Sequence, residues 1–275
     1  MAARQIPNLT LRAVSACVFV PLVIALIWAG DWALFLLVLV IVVRGAWEFY
    51  HITQSVGHRP AKAIGLPLSA GLCGYLFWIG PADLDKALLV VTLLCLLALL
   101  CRGVQNYTAN ALLTLGGVIY LGLLGSAPLL IVQAAGAAHH TEASRLLVVL
   151  FLCIWLTDTA AYFGGCLWGQ KKLVPRISPG KTVVGFVAGF SGGLLPLLLW
   201  GLLPSFTFLE LAGLLLLASA GGQAGDLVES AIKRDMGIKD TPPLIPGHGG
   251  LLDRFDSYLF AFPLAYLYLN YLAIF

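Results

Sequence analysis

Long apolar runs recur from one end of this sequence to the other, and they decide most of what the chain can become. Its 275 residues hold about nine runs of spanning length, near 13–29, 32–50, 64–80, 86–101, 111–134, 146–168, 183–203, 208–232 and 257–275. A helix needs about 20 apolar residues to cross a bilayer, whereas a barrel strand needs only about half that number. Inside lipid every backbone polar group needs an internal partner, so runs of this length become helices. The expected fold is all-α: a polytopic integral membrane helical bundle with about nine transmembrane helices. Composition agrees, since 60% of the residues are hydrophobic and 11% are charged, against about 25% charged in soluble domains. Mean hydropathy is +0.95. The first run follows Arg4 and Arg12. It is too long for the apolar core of a cleaved signal peptide, and a second run follows almost at once, so it reads as a retained helix. The 6 cysteines sit in or beside apolar segments with no CxxC spacing. They read as small packing residues in a reducing setting.

An odd number of spans puts the two termini on opposite sides, and the basic residues test that arrangement. Of the 16 lysines and arginines, 14 fall on the N-terminal side, and only Lys86 and Arg145 fall on the other. The positive-inside rule then places the N-terminus and the large basic loops in the cytoplasm. The expected location is a bacterial inner (plasma) membrane with the active site on the cytoplasmic face. Two parts are expected. Residues 1–140 form N-terminal transmembrane helices for lipid contact or assembly, and residues 141–275 form a catalytic transmembrane part with cytoplasmic loops.

Charge is gathered in one place. The stretch "SAIKRDMGIKDTPPLIPGHGGLLDRFD", residues 230–256, interrupts two apolar runs. Just before and within it, Asp226, Ser230 and Lys233 are spaced i, i+4, i+7 on one helical face. Gly221, Gly222 and Gly225 precede them and permit close approach of a ligand or another helix. An aspartate as deep as Asp226 costs about 2.5–3.5 kcal/mol to insert, so it calls for a cation or a basic partner. Glu229, Arg234 and Asp235 read as helix-end charges that reach water.

The loop that follows, with Pro243, Pro246, Gly247, Gly249 and Gly250, is not helical and offers N–H groups to an anion. Asp253 and Asp256 share a face at the start of the last run. Taken alone they are equally well read as acids balancing a helix dipole. If runs eight and nine are antiparallel neighbours, however, Asp226, Asp253 and Asp256 converge. Three carboxylates beside lysines and a glycine loop suit hard cations that hold phosphates. Asp158 lies well inside the sixth run. The basic loop "QKKLVPRISPGKT" after it carries Ser178 and Lys181 and supplies cations to phosphates or anionic headgroups. Asp158 is expected to anchor Lys181, the alternative being a direct metal ligand.

This stretch resembles the signature of the phosphatidate cytidylyltransferases, the CDP-diacylglycerol synthases. The matching residues are Ser230, Lys233, Arg234, Lys239, Asp240, Pro246, His248, Gly249, Gly250, Asp253, Arg254 and Asp256. Two upstream blocks are similar as well, "TDTAAYFGG" with Asp158 and "PRISPGKT" with Ser178 and Lys181. The likeness covers about the last 130 residues. Pro242 and Val184 depart from the family pattern, and the second removes a carboxylate. The resemblance implies transfer of a cytidylyl group from CTP to phosphatidic acid, giving CDP-diacylglycerol and pyrophosphate. It implies catalytic roles for Asp226, Lys233, Asp253 and Asp256. It implies substrate contacts for Asp158, Ser178, Lys181, Ser230, Arg234, His248, Gly249, Gly250 and Arg254. Magnesium is expected on Asp226 and Asp253 chiefly, with Asp256, and with room for a second cation. The expected partners are CTP, phosphatidic acid and membrane lipids, with no nucleic acid, and the chain as a monomer or a homodimer. Two rival readings remain at this point: a related membrane cytidylyltransferase acting on a different lipid phosphate, and an ion-coupled transporter. The transporter would also bury Asp158 and Asp226 within spans. It would be expected to show internal repeats and broken midplane helices, and the sequence shows neither clearly.

Overall fold

The computed structural model describes residues 20–100, 104–239 and 250–274, and most of them are helical. Residues 20–28 are helical, and Gly30 (φ 109) turns the chain into α1, Asp31–Ser55. Helices α2 (Lys62–Trp78), α3 (Leu84–Leu97) and α4 (Tyr107–Gly117) follow. A π-helical stretch, Val118–Leu123, leads toward the long α5, Ala127–Trp168. Then come the strands β1 (Lys172–Val174) and β2 (Ser178–Thr182). Helix α6 (Val183–Gly193) runs on as a 3-10 helix, Leu195–Leu202. The chain closes with α7 (Phe208–Asp235), the short α8 (Leu252–Phe255) and α9 (Tyr258–Leu272).

Among the described residues, 4 helical stretches are long and apolar enough to cross a membrane: Asp31–Ser55, Tyr107–Trp168, Val183–Leu202 and Phe208–Asp235. The second of these contains two expected spans, 111–134 and 146–168, which meet at Gly136. The backbone there (φ 60, ψ −174) is a conformation that L side chains rarely adopt. The expected spans at 64–80, 86–101 and 257–275 are helices of 17, 14 and 15 residues. The first expected span lies mostly outside the described residues. One expectation needs correcting. The fold is not wholly helical, because the basic loop pairs with itself as an antiparallel hairpin, Lys172 opposite Thr182 and Val174 opposite Ser178.

Helix starts follow local chemistry. At α7 the Thr207 hydroxyl accepts from Glu210 N–H at 3.3 Å, and the Glu210 carboxylate accepts from Thr207 N–H at 2.8 Å, a reciprocal cap legible as T-x-x-E. Thr182 caps α6 through Gly185 N–H at 3.1 Å. The core joins α5 (Leu146, Leu147, Leu150, Ile154) to α7 (Leu211, Leu214, Leu215, Ala218) and α9 (Ala261, Ala265, Leu269). Helices α7 and α9 run antiparallel. Gly213 meets Tyr268, Gly221 meets Leu264, and Gly225 meets Phe260 and Asp256. A Cβ on Gly225 would stand 2.5 Å from the Asp256 carbonyl oxygen, a backbone atom that cannot swing away. The glycines at this position serve helix approach.

The loops sort to two ends of the bundle. α1 spans about 37 Å at 1.5 Å per residue. At its N-terminal end Asp31 touches His140. Gln133 donates to the Phe77 carbonyl at 2.6 Å, near the end of α2, and Arg145 donates to the Leu202 carbonyl at 3.2 Å, at the end of the 3-10 helix. Near its C-terminal end Glu48 meets Leu251 and Leu252, and Asn110 accepts from Arg59 N–H at 2.7 Å. Lys86 and Arg145, the two basic residues expected on the far side, belong to the first end; Arg4, Arg12 and Arg102 lie outside the described residues.

Candidate active site

Where α5, β2, α6, α7, α8 and the start of α9 meet, they enclose a cavity of about 1100 Å³. Asp158, Ser178, Lys181, Asp226, Lys233, Asp253, Arg254 and Asp256 all line it. The sequence scatters these eight from the sixth run to the last, and the fold brings them to one wall. Three others stand just behind. Ser230 donates to Asp226 Oδ1 at 3.4 Å. Gly250 N–H donates to Asp253 Oδ2 at 3.4 Å. Arg234 is exposed and donates to the carbonyls of Ile177 (3.2 Å) and Ile238 (3.0 Å), tying α7 to the hairpin. His248 and Gly249 lie outside the described residues, as does Pro242.

Charges in the cavity are shared between elements. Lys181 Nζ, carried on β2, stands 2.6 Å from Asp226 Oδ2 on α7. Lys233 Nζ, about two turns further along α7, bridges Glu229 Oε2 at 2.5 Å and Asp253 Oδ1 at 2.8 Å. Two expectations change. Lys181 forms its ion pair with Asp226 and not with Asp158. Glu229 does not reach water: it is 1% exposed and depends on Lys233.

Asp256 is buried as well, and its Oδ1 accepts from Ser257 N–H at 2.7 Å. Burial, then the negative charges of Asp226 and Glu229, push its carboxyl well above the usual range. Among the described residues no cation forms an ion pair with it.

The surroundings of Asp256 bear on the metal. The donors are carboxylate oxygens, the type that magnesium and calcium prefer. Buried Asp256 faces Asp226 and Glu229 without an ion-pair partner among the described residues, so added positive charge would favour its ionised form. Among the described residues, no three Asp, Glu, His or Cys side chains converge closely enough to hold a metal by themselves. Magnesium usually takes one or two protein carboxylates and completes its shell with water and phosphate oxygens. The residues present therefore fit magnesium brought in together with a polyphosphate.

Reading the sequence missed three buried polar groups. Gln223 lines the cavity one turn before Asp226, and its Nε2 lacks a hydrogen-bond partner among the described residues. The Tyr120 hydroxyl, in the π-helical stretch, also lacks one. Glu48 on α1 is wholly buried and accepts from two backbone N–H groups of the segment that carries Asp253. Only Glu48 left a signal, a carboxylate inside an apolar run with Arg44 four residues before it.

A sequence profile described as the cytidylyltransferase family matches residues 10–272. The chain is similar to a phosphatidate cytidylyltransferase of Staphylococcus aureus (strain COL), 46% identical over 127 residues, which are 46% of this chain and 49% of that protein. A phosphatidate cytidylyltransferase of Staphylococcus saprophyticus shows the same identity and coverage. One of Staphylococcus epidermidis (strain RP62A) is 47% identical over 130 residues, 46% of this chain and 49% of that protein. The chain thus spans about half the length of the curated relatives it matches.

Proposed function

Because the chain belongs to the cytidylyltransferase family, we propose that it transfers the cytidylyl group of CTP to phosphatidic acid, giving CDP-diacylglycerol and pyrophosphate. The observation that carries this reading is the single cavity into which Asp158, Asp226, Asp253 and Asp256 face together with Lys181, Lys233 and Arg254. Such a wall suits a substrate that carries several phosphates. A lipid co-substrate is supported by an apolar pocket beside it, lined by Val23, Ile27, Leu34, Val38 and Phe262, which shares Phe151 and Tyr258 with the charged cavity.

In the proposed reaction an oxygen of the lipid phosphate attacks the α-phosphorus of CTP. The bond to that phosphorus forms as its bond to the β-phosphate bridging oxygen breaks, and pyrophosphate leaves. Both reacting partners are anions, so positioning and charge neutralisation are the chemistry the protein must supply. Lys181 and Lys233 hold carboxylates in the free protein and exchange them for phosphate oxygens when CTP enters. Arg254 adds a third cation at the same wall. Asp226 and Asp253 are the residues that would hold magnesium, with Asp256 behind them. When bound, that ion neutralises phosphate oxygens and orients them. No side chain is needed as a covalent nucleophile.

The proposed setting is a bacterial inner membrane, with the cavity open to the cytoplasm where CTP is found. Its support is the sorting of basic residues toward the cavity end. The assay is purified full-length chain with labelled CTP, phosphatidic acid and magnesium, read as appearance of a liponucleotide and pyrophosphate in equal amounts. Absence of product with phosphatidic acid, but formation with another lipid phosphate, would transfer the reading to that lipid. Orientation is tested by cysteines at exposed positions of the two ends in a background lacking the native cysteines. Gly180→Cys should resist an impermeant thiol reagent on intact cells, and Ala82→Cys should react. The opposite pattern would invert the topology and remove the cytoplasmic nucleotide site with it.

A further inference from the structure

We propose that Glu48, on the first described long helix, is a positioning residue for this site: it holds the segment that presents Asp253 and Asp256 to the cavity. The inference rests on the reaction proposed above, and its geometry stands independently of it. Glu48 is 0% exposed. A buried carboxylate is tolerated only where its charge and lone pairs are met. Here Oε1 accepts from Leu251 N–H at 3.0 Å and Oε2 accepts from Leu252 N–H at 2.8 Å. Arg44 Nε, one turn back on α1, stands 3.1 Å from Oε1 as an ion pair.

The two N–H groups open α8, Leu252–Phe255, which has only 4 residues. A single turn of helix does not hold itself in water or at a membrane surface, because its nucleation is unfavourable. The segment must therefore be fixed from outside. On one side Lys233 takes Asp253 Oδ1, and on the other Glu48 takes the backbone. Leu252 is buried with Phe49, Tyr50, Tyr120 and Leu259, so the clamp sits on packed ground. Two donors and a guanidinium converge on the side chain, so only a carboxylate fits. Glutamine has the same size, but it offers one oxygen and turns an NH2 group toward a donor. Aspartate keeps the charge and falls short by one methylene.

A purely structural role would lower stability without touching the chemistry, and Tyr50→Phe supplies that comparison. Tyr50 lies on the same helix and donates to the Thr114 carbonyl at 2.7 Å, away from the cavity. The experiment compares wild type, Glu48→Gln, Glu48→Asp and Tyr50→Phe as purified full-length chains in detergent. Amide hydrogen exchange is measured without substrate, and steady-state kinetics with CTP and phosphatidic acid. Peptides covering 250–256 should exchange at least about 10-fold faster in Glu48→Gln than in wild type, with other helices unchanged. Its kcat should fall about 10- to 100-fold, as expected for a displaced but intact site. Tyr50→Phe should change kcat by less than about threefold while lowering the melting temperature. If Glu48→Gln does not fold, Glu48→Asp carries the test with the same two readouts at smaller amplitude. Unchanged exchange at 250–256 overturns the inference, and so does a kcat that matches Tyr50→Phe at equal loss of stability. If wild type forms no liponucleotide, the reaction reading fails, and the exchange data alone still decide whether Glu48 holds the segment.

Discussion

Both ends of the bundle hold acids and bases, yet they use them differently. At the end away from the cavity, charge closes locally. Lys86 pairs with Asp83 at 2.5 Å with both side chains mostly exposed. Glu142 is buried, but its two oxygens accept from Ser205 N–H (2.8 Å) and Ser205 Oγ (2.7 Å), which satisfies it. At the cavity end the same residue types are shared and unbalanced. Lys233 serves two carboxylates, Lys181 belongs to a strand but pairs with a helix, and Asp256 faces other acids. A satisfied buried carboxylate is part of the scaffold, whereas an unbalanced one marks where something charged is expected to bind. The density of charge in the sequence does not separate these cases, and burial together with pairing does.

The comparison breaks first at the two carboxylates nearest the expected phosphates. Asp226→Asn and Asp253→Asn should each lower kcat about 100-fold or more while the protein still folds and inserts. Near-normal turnover in either would reduce that residue to scaffold. A smaller effect is expected at Lys233. Lys233→Gln leaves Glu229 buried and unpaired, which costs about 3 kcal/mol of stability, and it should lower kcat about 10-fold or more. A thermal melt beside the CTP titration separates the two, and loss of stability alone would assign Lys233 to Glu229. At the opposite end Glu142→Gln should cost about 1–3 kcal/mol in melting experiments and leave turnover unaffected. Lys86→Ala should cost less than about 1 kcal/mol, as exposed pairs do. A large loss of turnover from either would show that the far end takes part in the reaction.

Much of this was legible in the sequence where the physics is local. Apolar runs gave helices, and a glycine face on α7 gave the close approach of α9; the T-x-x-E that caps α7 was there to be read and was passed over. Asp226, Asp253 and Asp256 line one cavity because two consecutive runs pack antiparallel, though they do not converge closely enough to form a metal cluster by themselves. What the sequence hid depends on distant partners. Lys181 on β2 pairs with Asp226 on α7 and not with Asp158, and nothing in "SPGKT" encodes that. Glu229 looks like a helix-end charge until Lys233 joins it to Asp253. Glu48 shows only its i, i+4 spacing from Arg44, and its link to the site stays hidden because its hydrogen-bond partners are backbone groups whose side chains are leucine.

The distance along the chain between Glu48 and Leu252 is 204 residues. At about 5–20 residues per second of synthesis, roughly 10–40 s pass between the emergence of the carboxylate and that of the amides that will hold it. Through that interval α1 resides in the bilayer with Arg44 as the nearby countercharge, and the other half of the clamp does not yet exist. A segment made late therefore completes one made early, and a ribosome that stalls before residue 251 leaves a chain whose buried acid still waits for its seat.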